Sequence, residues 1–286
     1  MDICYSKLFL KNGTVYAQNE FDGSFLQKGK SLYEVIRVVN GVPLFLKQHL
    51  HRLANSSKLS GLPLPVSFDT IRDTLLKLIS SNIMSTGTSK IVFNYLPGSD
   101  NRANCSFYAY FLEPHYPSEQ DYRQGVDTFI YHAERENPNA KIVNYDFREL
   151  MDQLIKENQV TEVILVNNQG YITECSRSNL FLVIKDTIYT APVSEVLPGI
   201  TRDFVLRACR ESGYQVIEKS IHEKELVDLD AIFISGTQHK VLPVRTVKNL
   251  DMVLDSAKHT AVTTIMQKYD EIMADDINHF KEQNLE

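Results

Sequence analysis

The sequence lacks the features that would mark a membrane, secreted or nucleic-acid-binding protein. No stretch approaches the ~20 apolar residues of a membrane-spanning helix. The first segment, MDICYSKLFLKNG, carries charged residues every few positions and has no apolar core of a signal peptide. Lysine and arginine form no run and the formal net charge is −6, whereas nucleic-acid binders usually carry a basic stripe. We therefore expect a soluble, cytoplasmic protein that has neither a membrane nor a nucleic acid as its partner.

Cysteine is scarce, and its spacing indicates neither a disulfide framework nor a metal site. The chain contains four cysteines, which are Cys4, Cys105, Cys175 and Cys209. They form no CxxC pair, and zinc sites and disulfide frameworks need closer or more regular spacing. The histidines include no HExxH motif, and His49 and His51, two apart on a predicted helix, point to different faces. We expect reduced thiols and no bound metal.

The length of 286 residues suits one large domain or two of ordinary size. Strand and helix patterns mix over residues 1–114, which predicts a smaller amino-terminal α/β domain. Residues 115–124 are polar and contain proline, which is typical of a linker. Residues 125–286 hold many short strand patterns and few helices. The sequence thus predicts an α/β (α+β) protein of two domains, with a larger, strand-rich carboxy-terminal domain.

The amino-terminal region carries hairpin and helix signals. Asn40-Gly41 in SLYEVIRVVNGVPLFL predicts a hairpin, because this pair favours a tight two-residue turn. One helix is predicted over KQHLHRLANSSKLSG, ending at Gly61, and a second over SFDTIRDTLLKLISSN, with Ser67 as its N-cap. The segments SKIVFNYLPG and CSFYAYFLEP predict another hairpin, joined by residues 98–104.

The carboxy-terminal region is dominated by short strand patterns. These are VDTFIYHA, TEVILVN, YITEC, NLFLVIKDTIYTAP, YQVIEKSI, DAIFISG and VLPVRTV. Apolar residues at helical spacing predict helices over YDFRELMDQLIKEN and TRDFVLRACRESG. A last amphipathic helix is expected over roughly 252–275, and the final ten residues are polar and expected to fray.

Two segments have the composition of an anion-binding loop. In LPGITRDFVL, Gly199 breaks an extended run and a helix is predicted to begin at Thr201, so free backbone N–H groups and the positive end of the helix dipole coincide. Ser235-Gly236-Thr237 is a second donor-rich loop that follows a strand. Each segment taken alone equally suits an ordinary capped helix or a plain turn.

Two charged residues have apolar neighbours. Lys141 in NPNAKIVNYDF is flanked by apolar residues, and a partly desolvated lysine has a lowered pKa and becomes a usable amine nucleophile. The alternative is an ordinary solvated lysine. Glu174 in YITECSRSNLF lies between apolar strands, where a carboxylate needs a partner. A protonated pyridine nitrogen would be such a partner, because the ion pair makes the ring an electron sink.

The order of these segments resembles that of the class IV (fold type IV) pyridoxal-phosphate aminotransferases, which include branched-chain and D-amino-acid aminotransferases and aminodeoxychorismate lyases. The signature of this family is matched within residues 173–202. The matching residues are Thr173, Glu174, Asn179, Leu180, Phe181, Thr190, Pro192, Leu197, Gly199, Ile200, Thr201 and Arg202. The resemblance extends to HLHRL, KIVNY and SGT, and so covers most of residues 30–245. It implies two α/β domains with pyridoxal 5′-phosphate between them, in a homodimer.

The resemblance also implies roles for individual residues. Lys141 would form the internal aldimine with the cofactor and shuttle the proton between Cα and C4′, and Glu174 would pair with the pyridine nitrogen. Arg52 and the helix that follows Gly199 would bind the phosphate, which suits a dianion. The residues expected to bind the cofactor are Arg52, Lys141, Glu174, Ser176, Asn179, Gly199, Ile200, Thr201, Gly236 and Thr237. Tyr33 and Arg102 would face the substrate.

The sequence departs from the family pattern in two places near the expected pocket. The usual Asp-Arg pair and Gly-Asp-Gly turn are replaced by FLQKGKSLYE, which overlaps the atypical residues 22–32. Arg102 aligns with a carboxylate-binding arginine of D-amino-acid aminotransferases, but Asn104 stands where a histidine is expected. A neutral amide does not supply the charge of a histidine, so the resemblance leaves D- against L-specificity open.

The resemblance predicts transfer of an amino group between an amino acid and a 2-oxo acid, with Lys141 as the catalytic residue. One alternative is an aminodeoxychorismate lyase, which would use the same lysine for β-elimination and release 4-aminobenzoate and pyruvate. Another is a degenerate, non-catalytic family member, against which the presence of Lys141, Glu174, Arg52 and Thr201 argues.

Overall fold

The computed structural model describes residues 2–96 and 104–283, which fall into two compact units. The first unit contains Met1–His115, Ala140–Tyr145 and Asp275–Glu286, and the second contains Tyr116–Asn139 and Asp146–Ala274. This division differs from the predicted boundaries, because two later segments join the amino-terminal unit. The predicted linker 115–124 is also not simply extended chain, since Glu119–Gln124 form helix α3.

The first unit contains an antiparallel sheet whose strands are ordered β2-β1-β6-β5-β3-β4. The strands are β1 (Leu8–Lys11), β2 (Thr14–Ala17), β3 (Lys30–Val39), β4 (Val42–Pro43), β5 (Thr86–Tyr95) and β6 (Cys105–Leu112). Both predicted hairpins, β3–β4 and β5–β6, are confirmed. The β1–β2 hairpin was not predicted, although its turn, Asn12-Gly13, has the same sequence and the same positive φ angles as Asn40-Gly41.

Two helices cover one face of this sheet. Helix α1 (Leu46–Ser60) ends at Gly61, whose φ of 69° gives the left-handed C-cap that glycine adopts without strain. Helix α2 (Phe68–Asn82) begins after Ser67, whose side chain accepts a hydrogen bond from the Thr70 N–H. Leucine and isoleucine side chains from both helices pack on the sheet and form the main core of the unit. The opposite face carries a second cluster that is rich in tyrosine and phenylalanine.

The second unit contains a mixed sheet whose strands are ordered β12-β11-β10-β14-β15-β7-β8-β9-β13, with β16 paired to β15. The strands are β7 (Val126–His132), β8 (Glu162–Val166), β9 (Tyr171–Cys175), β10 (Asn179–Ile184), β11 (Thr187–Thr190), β12 (Gln215–Glu218), β13 (Ile221–His222), β14 (Ala231–Gly236), β15 (Lys240–Val247) and β16 (Met252–Val253). The segment predicted as one strand, NLFLVIKDTIYTAP, is two antiparallel strands, because the chain reverses at Lys185, where φ is 56°.

The remaining helices are α4 (Tyr145–Asn158), α5 (Ile200–Glu211) and α6 (Thr260–Gln283). The structure corrects the predicted limits of α6. Residues 252–258 form β16 and a short 3-10 helix instead, and α6 continues through residues that were expected to fray. Within the first unit, Phe280 of α6 packs against the main core. No helix in the described ranges is long and apolar enough to cross a membrane.

Candidate active site

The backbone of Lys141 is fixed within the first unit. Its carbonyl oxygen accepts a hydrogen bond from the Tyr33 N–H at 3.3 Å, and its own N–H donates to Ser56 Oγ at 3.0 Å. The Lys141 ammonium nitrogen lies 4.8 Å from the centre of the Tyr33 ring. Since a cation is attracted to the face of an aromatic ring, this contact holds the amine close to the strand that carries Tyr33.

A buried charged cluster lies near Lys141 in the same unit. Glu34 is 0% exposed, and its two carboxylate oxygens accept hydrogen bonds from Arg52 Nε at 2.8 Å and Nη2 at 2.6 Å. His49 Nδ1 lies 2.7 Å from Glu34 Oε2. Burial would raise the pKa of Glu34, but the charge and hydrogen bonds of Arg52 outweigh it and lower that pKa to about 2. Arg52 is therefore held by an ionised carboxylate, and its predicted phosphate contact remains a prediction.

His49 links this cluster electrostatically to Lys141. Burial lowers the pKa of His49, its hydrogen bond to Glu34 opposes this, and the charges of Arg52 and Lys141 lower it further. The His49 side chain is 2% exposed. With its pKa lowered in this way, the His49 imidazole is neutral at neutral pH, and Arg52 carries the charge that balances Glu34.

Glu174 lies in β9 of the second unit and is 3% exposed. Its carboxylate accepts hydrogen bonds at 3.2 Å from Arg135 Nη1, from Asn179 Nδ2 and from the Leu197 N–H. A buried carboxylate is stable where it is paired and hydrogen-bonded in this way. Sequence reasoning did not identify Arg135, because nothing in its own segment distinguishes it from a surface arginine.

The loop before α5 is built around Asn179. The Asn179 side chain donates to the Leu197 carbonyl oxygen at 3.0 Å, and a Cβ atom on Gly199 would overlap Asn179 Oδ1. Helix α5 begins at Ile200 and has Gly199 as its N-cap. No side chain caps the helix at this end. The backbone N–H groups of the first turn and the positive end of the helix dipole thus lie beside a residue that also contacts Glu174.

The end of β14 lies next to the same asparagine, since Ser235 is paired with Asn179 in the sheet. Ser235 Oγ is buried, and among the described residues it has no hydrogen-bond partner. Ser176, whose contact with the cofactor remains a prediction, donates a hydrogen bond to the buried Glu162 carboxylate at 2.6 Å, as Ser178 does at 3.2 Å. Glu162 thereby holds the loop between β9 and β10 in place.

The structure thus groups the predicted site residues by unit. Tyr33, Arg52 and Lys141 are in the first unit. The second unit holds the largest predicted group, which is Glu174, Ser176, Asn179, Gly199, Ile200, Thr201, Gly236 and Thr237. Arg102 lies outside the described residues. Within the described ranges, no group of three or more histidine, cysteine, aspartate or glutamate side chains could hold a metal ion.

Comparison with known proteins assigns the chain to a family. The family model for amino-transferase class IV matches residues 31–247. The chain belongs to the class IV aminotransferase family.

Individual relatives and structures agree with this assignment. A D-alanine aminotransferase of Bacillus licheniformis is 29% identical over an alignment of 230 residues, which covers 77% of this chain and 80% of that protein. A branched-chain-amino-acid aminotransferase of Escherichia coli K12 is 29% identical over 244 residues, 79% of each. The crystal structure of an Escherichia coli branched-chain amino acid aminotransferase superposes with a TM-score of 0.83 at 23% identity, covering 94% of this chain and 95% of that one.

A second structure shows the same fold. The branched-chain amino acid aminotransferase of T.th., solved with pyridoxamine 5′-phosphate, has a TM-score of 0.83 at 22% identity and covers 98% of both chains. These likenesses confirm the predicted fold type IV architecture. This class IV aminotransferase is a pyridoxal-phosphate-dependent enzyme that transfers amino groups, and the names of its relatives do not favour the lyase or the non-catalytic alternative.

The residues of this class IV aminotransferase fit pyridoxal phosphate chemically. A buried carboxylate, that of Glu174, suits a protonated pyridine nitrogen. The helix that begins after Gly199 has no side-chain cap, and it offers N–H donors to a phosphate. Ser235 Oγ is a buried polar atom that no described residue satisfies, next to Asn179. Such an atom is expected beside a polar ligand.

Proposed function

We propose that the enzyme transfers amino groups between an amino acid and a 2-oxo acid with pyridoxal phosphate attached at Lys141. The observation that carries this assignment is the Glu174 carboxylate, which shares Asn179 as a partner with the uncapped turn before α5. A pyridine nitrogen and a phosphate are the two ends of this cofactor. The Asn179 side chain hydrogen-bonds both to Glu174, which suits the pyridine nitrogen, and to the turn before α5, which suits the phosphate. Glu174 would hold the proton of the pyridine nitrogen.

The phosphate would be bound by neutral and charged donors together. The N–H groups of Ile200 and Thr201 and the hydroxyl groups of Thr201 and Thr237 are the neutral donors, and Arg52 is the cation. A dianionic phosphate suits a helix amino terminus combined with an arginine. Glu34 orients the Arg52 guanidinium through two hydrogen bonds, so that its position does not depend on the ligand.

Lys141 has a second role in this proposal. When bound, the cofactor supplies an electron sink that makes the substrate Cα–H acidic. Lys141 Nζ would take that proton from Cα and deliver it to C4′ of the cofactor, and it would move a proton from C4′ to Cα in the reverse half-reaction, as a positioned general base and acid. Tyr33 keeps the amine in place through its ring, 4.8 Å away, and Ser56 fixes the backbone beneath it.

The substrates proposed are α-amino acids with small or branched aliphatic side chains. Support comes from the relatives, which are named for D-alanine and for branched-chain amino acids. The partly buried Val35 side chain on the aromatic face of the first sheet offers apolar surface for such groups. A substrate panel that pairs each L-amino acid with its D-enantiomer measures which configuration at Cα the enzyme accepts.

We also propose that the enzyme acts as a homodimer in the cytoplasm. The family resemblance supports the dimer, and the four cysteines, all unpaired in the structure, suit a reducing compartment. Light scattering of the holoenzyme tests the dimer. A monomer with full activity would contradict it.

Lys141→Ala is the variant that tests the proposed function. The variant is expected to lose roughly 1,000-fold or more in amino transfer, since loss of a residue that acts as both attachment point and base is not compensated elsewhere. Lys77→Ala, at an exposed position of α2, is the matched control and is expected to keep wild-type activity. Wild-type protein that transfers no amino group from any member of the panel would overturn the proposal.

A further inference from the structure

The aromatic face of the first sheet contains one buried lysine among the residues described. Lys90 lies in β5, with Val35 of β3 and Tyr110 of β6 as its cross-strand neighbours. Its side chain is only 2% exposed. Lysine is almost never buried to this degree unless it is paired, and hydrophobic residues of similar volume usually serve stability equally well. A buried ammonium group at Lys90 therefore indicates a functional role rather than a contribution to stability.

A carboxylate is already bound at Lys90. The Lys90 ammonium donates a hydrogen bond to Asp2 Oδ2, and the Tyr110 hydroxyl donates to the same oxygen at 2.7 Å. An ammonium and a phenol therefore converge on one carboxylate oxygen. This is the donor set that recognises a carboxylate in a small-molecule site. We call Lys90 and Tyr110 the carboxylate seat.

The carboxylate seat lies close to the amine that performs the chemistry. Lys90 Nζ and Lys141 Nζ are each 4.8 Å from the centre of the Tyr33 ring, so that the two nitrogens are no more than about 10 Å apart. A base in contact with Cα and a donor hydrogen-bonded to the α-carboxylate of the same amino acid stand roughly 6–8 Å apart, from bond lengths and hydrogen-bond distances. The required separation falls within the upper limit set by the Tyr33 ring, so the geometry admits an amino acid that contacts both lysines.

We propose that Lys90 and Tyr110 bind the α-carboxylate of the substrate, and that the carboxylate of Asp2 occupies this seat until the substrate displaces it. The inference rests on the proposed function, since it takes Lys141 as the base at Cα. Lys90 then selects amino acids over simple amines. Asp2 acts as an intramolecular competitor, which weakens the apparent affinity for every carboxylate ligand by the fraction of time that it holds the seat.

Steady-state kinetics of the holoenzyme test Lys90. Lys90→Met is expected to raise KM for the preferred amino acid by roughly 10- to 100-fold, the range for loss of one charged hydrogen bond, with a smaller change in kcat. Lys90→Arg should recover part of this loss. The same side chain presented as a primary amine without a carboxylate is expected to react with Lys90→Met as well as with wild type. Lys11→Met is the matched control, because Lys11 contacts the Tyr108 ring of the same aromatic cluster at 5.4 Å.

Direct binding provides a readout independent of turnover. Calorimetric titration of the holoenzyme with 4-methylvaleric acid, a carboxylate without an amino group, should show about threefold or tighter binding to Asp2→Asn than to wild type. Tyr110→Phe, which keeps the ring and removes the hydroxyl, should bind more weakly. If Lys90→Met folds poorly, these two variants still decide the question.

Different results would overturn the proposed function and the carboxylate seat. Wild-type protein that carries no cofactor at Lys141 would overturn the proposed function. Wild-type KM for the amino acid in Lys90→Met, with the cofactor normally attached, would overturn only the carboxylate seat. Equal affinity of Asp2→Asn and wild type for 4-methylvaleric acid would remove the competitor role of Asp2.

Discussion

Arg135 Nη1 donates a hydrogen bond to Glu174 Oε1 at 3.2 Å, and Nη2 of the same guanidinium donates to the Ser176 carbonyl oxygen at 3.0 Å. One side chain thus fixes both the carboxylate and the loop that follows it. The guanidinium also lies 5.8 Å from the centre of the Phe147 ring. Arg135 therefore positions Glu174, and the Phe147 ring helps to hold the Arg135 guanidinium in place.

Replacement of Glu174 should separate cofactor binding from catalysis. Glu174→Gln removes the charge opposite the pyridine nitrogen but keeps the shape, so we expect kcat to fall roughly 100-fold or more while the phosphate remains bound. Arg135→Met should cause a smaller fall, about 10-fold, because it loosens the carboxylate without removing it. Activity in Glu174→Gln equal to wild type would show that this carboxylate does not face the ring.

Gly199→Ala tests the close approach at the turn before α5. A Cβ atom there would overlap Asn179 Oδ1, so that either the asparagine or the turn must move. We expect weaker binding of pyridoxal phosphate and a loss of stability of about 2 kcal/mol, in the range for overpacking. Gly236→Ala is the control for stability, because its added Cβ would lie 3.3 Å from Ser178 Cβ, which is tight but tolerable. Equal losses of stability in thermal melting of the two variants would contradict the predicted overlap at Gly199.

The buried Glu34 predicts how stability depends on acid. Its folded pKa is lowered to about 2 from an ordinary value of 4.5, so that the unfolded chain takes up the proton first. The stabilisation is present above pH 4.5 and is lost as the pH falls towards 2, with a magnitude of about 3 kcal/mol.

Comparison with Glu34→Gln isolates this effect. The variant leaves Arg52 without its buried counter-charge, and we expect it to be less stable than wild type at neutral pH by roughly 3–5 kcal/mol. The difference between the two unfolding free energies should shrink on acidification below pH 4.5. Denaturant titrations at several pH values measure it, and a difference that stays constant with pH would show that Glu34 is not the titrating group.

Asp276 supports the start of α1. Its carboxylate accepts a hydrogen bond at 2.7 Å from the N–H of Phe45, a residue held at a φ of 53° in the left-handed region. Asp276→Ala is expected to lower the free energy of unfolding by about 1–3 kcal/mol, because a partly buried N–H loses its acceptor. Asp275→Ala, at the neighbouring exposed position, should change stability by less than about 0.5 kcal/mol.

The sequence was sufficient to predict those elements that depend on a few adjacent residues. The hairpin at Asn40-Gly41 and the helix capped by Ser67 follow from a few adjacent residues, and the structure contains both. Residues 173–202 belong to one unit, where Asn179 joins Glu174 to the turn before α5. The motif thus describes a single packed structure in three dimensions.

What the sequence could not predict depends on contacts between distant residues. Arg135 and Glu174 are 39 positions apart, and Lys90 and Asp2 are 88 apart. Nothing in their own segments distinguishes Arg135, Lys90 and Asp2 from surface charges, and only folding pairs them with their partners. The extension of α6 has the same origin, since Phe280 gains its apolar partners only from the core of the first unit.

The attachment of the cofactor to Lys141 can be tested directly. Reduction of the holoenzyme with borohydride makes a lysine linkage permanent, and peptide mass mapping then locates it. We expect the added mass in the peptide containing Lys141, and we expect Lys141→Ala to carry no such mass while Lys77→Ala carries it as wild type does. A modified peptide that lacks Lys141, for example one containing Lys90, would show that the cofactor is attached elsewhere.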